Sequence, residues 1–199
     1  KPIGKLAGEF IAKKLGGKGN VVEIKGDPAV APAVERHEGF AEAIAGTKIK
    51  VIAETHADWD QEKALKFMED TLQRFGPGQI QAIYTHNDNM AFGALRAVQA
   101  AGRAKEGILI IGIDGENAAI RAVAKGDLTA TFTYSTVAPE GVIAAHALAT
   151  KNLGELDKLG KMTKKPDGSM EIEIPSKMIT KENAAEHFCK GFGDDPECK

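Results

Sequence analysis

The segment Ile108-Leu109-Ile110-Ile111-Gly112-Ile113 is almost wholly aliphatic. A strand with apolar side chains on both faces must be covered on both. That condition belongs to the inner strands of a parallel sheet between two layers of helix, not to an antiparallel sheet with one wet face. The rest of the chain supplies the covering elements. Ile3, Leu6, Phe10 and Leu15 recur at helical spacing, and the glycine-rich stretch from Gly16 to Gly19 breaks that helix before a strand at Val21 to Ile24. Strand Ile49 to Ala53 precedes a helix with Leu65, Met68, Leu72 and Phe75 on one face, and strand Ile80 to Tyr84 precedes a helix through Ala91, Leu95 and Val98. After the aliphatic strand come a short helix with Ile120 and Val123, a strand from Leu128 to Thr133, and a helix from about Pro139 to Leu148, where proline suits the first turn. Strand and helix alternate over short connections, so the expected fold is α/β, a doubly wound parallel sheet with helices on both faces.

Beyond Thr150 the pattern changes. Lys164-Lys165-Pro166-Asp167-Gly168-Ser169 has turn chemistry and Met170 to Ile174 alternates like a strand, which predicts a hairpin on a different body. A last helix is predicted from Thr180 to Phe188. Cys189 and Cys198, the only cysteines, enclose a short polar tail that has little else to order it. A disulfide is the favoured reading, and with it an oxidising compartment; two free thiols are the alternative.

With 43% hydrophobic residues among 199, the chain can bury an ordinary core. Its net charge of −2 comes from interspersed Lys and Glu, so there is no basic surface of the kind phosphate neutralisation needs, and no nucleic-acid partner is expected through these residues. No apolar run approaches the roughly 20 residues of a membrane span.

In an open parallel sheet, ligands bind outside the carboxyl ends of the strands. Here those positions carry Gly26-Asp27-Pro28 with Arg36 on the following helix, then Asp58-Trp59-Asp60, His86-Asn87-Asp88, Asp114-Gly115 and Tyr134. A cation, an indole, an amide, a carboxylate and a phenol on one edge suit a sugar. An aromatic face covers the apolar C–H side of the ring, while planar polar groups bridge neighbouring hydroxyls. Each residue also has a plainer reading. Trp59 is a candidate core aromatic, Arg36 a solvated charge, Asn87 and Asp88 helix N-caps, Asp114 a cap or tight-turn residue, and Tyr134 a core or hinge residue. It is their joint placement that points to a site.

Other chemistry has little support. The Gly16 to Gly19 stretch follows a helix and precedes a strand, the wrong order for a phosphate loop. His37, His56, His86, His146 and His187 show no paired ligand spacing and have no cysteine nearby, so no metal is expected. No serine or cysteine lies on a nucleophile turn beside a base, and Asp58 and Asp60 read as caps, so neither catalysis nor a cofactor is expected.

Four stretches resemble motifs of one family, the type I periplasmic binding proteins of sugar ABC transporters, and the ribose-binding group above all. Arg36-His37-Glu38-Gly39-Phe40 is similar to its R-x-x-G-F helix start, and Ala57-Asp58-Trp59-Asp60 to its aromatic-bearing loop. His86 to Ala94 is similar to its N-D-x-M-A-x-G-A helix, and Gly112-Ile113-Asp114-Gly115 to its G-x-D-G strand end. The resemblance runs from Lys1 to about Leu148. It implies a binding protein and not an enzyme, with Arg36, Trp59, Asn87 and Asp114 as contacts to a small sugar, a pentose or hexose. Tyr134 falls at a hinge position where the family often carries Gln. It further implies hinge closure over the sugar, a membrane ABC transporter permease as partner and a monomer. The location would be the periplasm, or the outer surface, tethered to the membrane, in a species without an outer membrane. Residues 1–133, rejoined by about 175–188, would form the C-terminal ligand-binding lobe, 134–174 a segment of an N-terminal lobe otherwise missing, and 189–199 the cysteine-closed tail. About 100 further residues would be expected upstream. The Lys151 to Ile174 segment and the tail depart from the ribose-binding pattern. The alternative is the sugar effector-binding core of a lactose-repressor-like transcription regulator, with a helix-turn-helix upstream and a dimeric state.

Overall fold

The structure is a computed structural model that describes residues 1–134 and 138–191, with the side chains of 138–140 and 188–191 left aside. Two compact units are present, one formed by residues 1–133 with the chain from Met178 onward, the other by Tyr134–Lys177.

In the first unit the elements run α1 (Pro2–Lys14), β1 (Lys18–Lys25), α2 (Ala31–Ile44), β2 (Lys48–His56), α3 (Gln61–Arg74), β3 (Ala82–Thr85), α4 (Asp88–Ala100), β4 (Leu109–Ile111), α5 (Asn117–Lys125) and β5 (Ala130–Phe132). The sheet order is β2-β1-β3-β4-β5, all parallel, with the later strand β8 (Met178–Thr180) antiparallel on β5. Side chains alternate along each strand into two cores, as the pleat requires. Val22, Ile24, Ile83 and Ile110 pack with Met68 and Leu72 of α3, Met90 and Val98 of α4 and Ile120 and Val123 of α5. On the other face Val21, Tyr84, Ile111 and Phe132 pack with Ile3, Phe10 and Ile11 of α1 and Phe40 of α2. The aliphatic strand thus serves both layers, and the doubly wound α/β class is the one observed.

Gly39, in the R-x-x-G-F stretch, is where α1 and α2 meet. A Cβ there would stand 2.1 Å from the Lys1 carbonyl oxygen and 2.7 Å from the Lys5 nitrogen. The next residue, Phe40, is 1% exposed in the core. Together they fix α2 on the sheet, and with it the direction in which Arg36 projects.

One predicted boundary is corrected. The last helix was expected from Thr180, but Met178–Thr180 is strand β8 and the helix, α7 (Ala184–Gly191), begins later. Ile179 is fully buried against β5, and Asn183 closes the intervening turn by accepting the Thr180 N–H at 2.8 Å. A three-residue strand leaves too little periodicity to be read beside a helix start.

The second unit holds helix α6 (Ala138–Ala149), a short 3₁₀ turn at Leu153–Lys158, and the antiparallel pair β6 (Lys161–Lys164) and β7 (Met170–Glu173). Within it Ala147 and Leu156 are buried, while Val142, Leu148, Leu153 and Met170 are exposed. The Cys189 side chain and Cys198 lie outside the described residues, and with them the disulfide expected there. Among the described residues no helix is long and apolar enough to cross a membrane.

Candidate functional site

Four of the five expected site residues come together at the carboxyl edge of the first unit's sheet. Arg36, 3% exposed on α2, brings its guanidinium to residues that follow β3 and β4. One terminal nitrogen donates to the His86 carbonyl, and the other lies 3.5 Å from Asp114 Oδ1. The guanidinium carbon stands 5.4 Å from the centre of the Trp59 ring, a cation–π arrangement. Asn87 Nδ2 donates to the Trp59 carbonyl at 3.4 Å. Tyr134 belongs to the other unit.

The backbone is forced at this edge. Among the described residues, Asp58, Trp59, Asp114 and Lys151 are the non-glycine positions with positive φ, at 52°, 66°, 126° and 56°. The first three are at the site. For a residue as bulky as tryptophan that geometry is costly, and such strain concentrates where a side chain must be aimed. The Trp59 ring lies on Gly26, where a Cβ would come within 2.2 Å of the indole, so glycine is required for the ring to sit flat against the loop after β1. Trp59 is half-buried. It is a platform resting on the core, which joins the two readings of it from sequence.

Asn87 does what its position on α4 suggested: its Oδ1 caps the helix by accepting the Met90 N–H at 2.9 Å. The cap uses the carbonyl oxygen and leaves the amide group aimed at the Trp59 loop. Asp60 caps α3 through the Lys63 N–H, and Asp58 pairs with Lys63 Nζ at 2.7 Å, as expected of helix-start aspartates.

Asp88 takes a structural part. Fully buried, it accepts from Thr131 Oγ1 at 2.7 Å and from the Glu116 N–H at 2.9 Å, tying α4 to β5 and to the start of α5. Gly112 makes room for it, since a Cβ there would meet Asp88 Oδ1 at 2.2 Å. This explains one glycine of the G-x-D-G stretch as packing. Burial pushes the Asp88 carboxyl up to about 7, against the pull of its two hydrogen bonds. Asp114 is also raised, to about 6, by burial first, and the nearby Arg36 does not fully offset it. At 3.5 Å the Arg36–Asp114 contact is a loose one, which leaves the carboxylate oxygens available to a ligand hydroxyl.

Sequence reasoning missed what lies beneath. Glu23, fully buried on β1, holds His86 Nε2 at 3.0 Å and His37 Nδ1 at 3.0 Å. The strand at Val21 to Ile24 was legible, but not that α2 and the end of β3 would bring two imidazoles to one carboxylate. Glu23, His37 and Glu54 also offer ligand atoms within 4.8 Å of one another. The positions around them are already filled, by His86 on Glu23 and by Lys25 Nζ, 3.0 Å from Glu54.

A family model described as a periplasmic binding protein domain matches residues 1–155. The chain belongs to that family. It is 41% identical over 144 residues to a ribose import binding protein of Haemophilus influenzae, covering 71% of this chain and 48% of that protein. It is 40% identical over 135 residues to the D-allose-binding periplasmic protein of Escherichia coli, covering 67% and 42%. The chain therefore spans about half the length, or less, of these curated relatives. Among solved structures, a periplasmic solute-binding protein from Actinobacillus succinogenes with bound D-allose superposes with a TM-score of 0.76 at 28% identity, over 93% of this chain and 61% of that one. The relatives so named are binding proteins and not enzymes.

Proposed function

We propose that this protein is a solute-binding protein that captures a small sugar, a pentose or hexose, and delivers it to an ABC transporter. The observation that carries this reading is the convergence of Arg36, Trp59, Asn87 and Asp114 on one sheet edge, two of them on strained backbone. An indole face with a guanidinium beside it offers stacking for the C–H side of a ring. The Asp114 carboxylate, the Asn87 amide and the Arg36 donors offer paired hydrogen bonds to its hydroxyls. A buried polar group left without its hydroxyl costs about 1 to 3 kcal/mol, so an epimer with one hydroxyl inverted binds tens of times more weakly.

Capture proceeds by hinge closure over the sugar, and the closed form is what the permease recognises. This reading places the protein in the periplasm, or tethered outside the membrane where there is no outer membrane, as a monomer. Relatives named as a ribose import binding protein and an ABC transporter solute-binding protein favour it over the regulator alternative. The test is titration calorimetry with a panel of pentoses and hexoses: one member binding at a 1:1 ratio, with at least tenfold preference over its epimers, is the expected result. Equal, weak heats across the panel contradict it.

A further inference from the structure

The Trp59 platform rests on Gly26, and the two peptide groups flanking that residue are each held by a histidine. The Gly26 carbonyl accepts from His56 Nδ1 at 2.7 Å. The Gly26 N–H donates to His86 Nδ1 at 3.3 Å. A backbone N–H can only donate, so His86 Nδ1 accepts and the ring proton is on Nε2, which donates to Glu23 Oε1 at 3.0 Å. His86 and Glu23 are both fully buried. The His86 backbone is fixed as well: its N–H donates to the Ile24 carbonyl at 2.9 Å, and its carbonyl accepts from Arg36.

We infer that His86, locked in one tautomer by Glu23, is a positioning residue of the site: it fixes the loop on which Trp59 lies and the carbonyl that holds Arg36. A ring with an acceptor on one side and a donor on the other satisfies both neighbours at once. The nearby ionisable groups include Glu23 on β1, His37 and Arg36 on α2, His56 on β2 and Tyr84 on β3, whose ring centre is 5.2 Å from that of His86. His37 shares the Glu23 carboxylate, and of the two imidazoles on that carboxylate only His86 reaches Gly26. This inference rests on the sugar-binding reading for its functional meaning but not for its geometry.

Two substitutions separate the two sides of the ring. His86→Asn keeps an acceptor near the Nδ1 position and loses the donor to Glu23. His86→Gln keeps a donor near Nε2 and loses the acceptor for Gly26. Trp59 is the only tryptophan, so its emission reports the platform without any ligand. In His86→Gln the expected result is near-wild-type melting with a shifted Trp59 emission and sugar affinity at least tenfold weaker. In His86→Asn it is a lower melting temperature with emission like that of the wild type and affinity within about threefold. Wild-type emission and affinity in His86→Gln would overturn the inference, as would both variants losing affinity in step with their melting temperatures. A wild-type protein that binds none of the pentoses or hexoses overturns the functional reading instead, and the ligand-free emission of the two variants still decides the positioning role.

Discussion

Helices α3 and α6 make an instructive pair. Helix α3 reads QEKALKFMEDTLQR, mostly charged or polar, yet it buries Ala64, Met68, Thr71 and Leu72 completely or nearly so. Helix α6 reads APEGVIAAHALA, far richer in apolar residues, yet Val142, Ile143 and Leu148 are 69%, 39% and 63% exposed. The difference is what each unit provides to pack on. In the first unit α3 lies on a six-stranded sheet whose faces are aliphatic, so a narrow apolar stripe finds a complementary surface. Among the described residues the second unit offers a 3₁₀ turn and a hairpin, and of its apolar side chains Ala147 and Leu156 alone are buried. Burial depends on a partner surface, which a helix cannot supply for itself.

The sharpest way to break this comparison is core truncation. Ile111→Ala removes a fully buried side chain from the central strand, and about 2 to 5 kcal/mol of unfolding free energy is the expected loss in denaturant titration. Leu148→Ala on α6 is expected to change it by about 0.5 kcal/mol or less. Equal losses would mean that α6 is packed as tightly as the sheet and that the contrast between the units is false.

A second effect belongs to Asp88. Its native carboxyl sits at about 7 against an ordinary 3.8, so the folded protein holds a proton that the unfolded chain releases. Its contribution to stability is therefore fully present below about pH 4 and is lost as pH rises toward 7. At about 1.4 kcal/mol per pH unit the swing is on the order of 4 kcal/mol. The stability of wild type relative to Asp88→Asn, read by chemical denaturation at a series of pH values, should fall across that window. A flat difference would show that Asp88 is solvated in the native state.

At the site the effects are smaller in energy and larger in consequence. Trp59→Ala and Asp114→Ala should each weaken sugar binding tenfold or more, about 1.4 kcal/mol, with melting little changed for Asp114→Ala. Because Asp114 is raised to about 6, its charged form is lost on acidification. Affinity measured calorimetrically should fall about tenfold between pH 7.5 and pH 5, and Asp114→Asn should remove that dependence. The smallest expected effect is Tyr84→Phe. Among the described residues the buried Tyr84 hydroxyl has no hydrogen-bond partner, and burial raises its pKa. Its removal should leave stability unchanged or slightly higher in thermal melts, whereas a loss above 1 kcal/mol would reveal a partner for it.

The legibility of this chain follows the same contrast. Where strand and helix alternated around aliphatic segments, the doubly wound class and the strand-end positions of Arg36, Trp59, Asn87 and Asp114 could be read, because periodicity reports burial on a regular surface. Strand β8 was not legible, since three residues carry no period and its partner, β5, is remote in sequence. Nor was the Glu23–His86–Gly26 chain, in which residues 60 or more positions apart meet through register and helix placement. Asp88 and Gly112 were read as parts of motifs near a site, and only their packing showed that one exists to accommodate the other.

The central claim is that the sheet edge carrying Trp59 and Asp114 binds a monosaccharide. Its most direct test is titration calorimetry of the wild type and Asp114→Ala, each against a panel of pentoses and hexoses, with melting curves to show that both are folded. The account predicts saturable 1:1 binding of one sugar by the wild type and at least tenfold weaker binding by Asp114→Ala. A folded wild type that binds no member of the panel, or a variant of unchanged affinity, would contradict it.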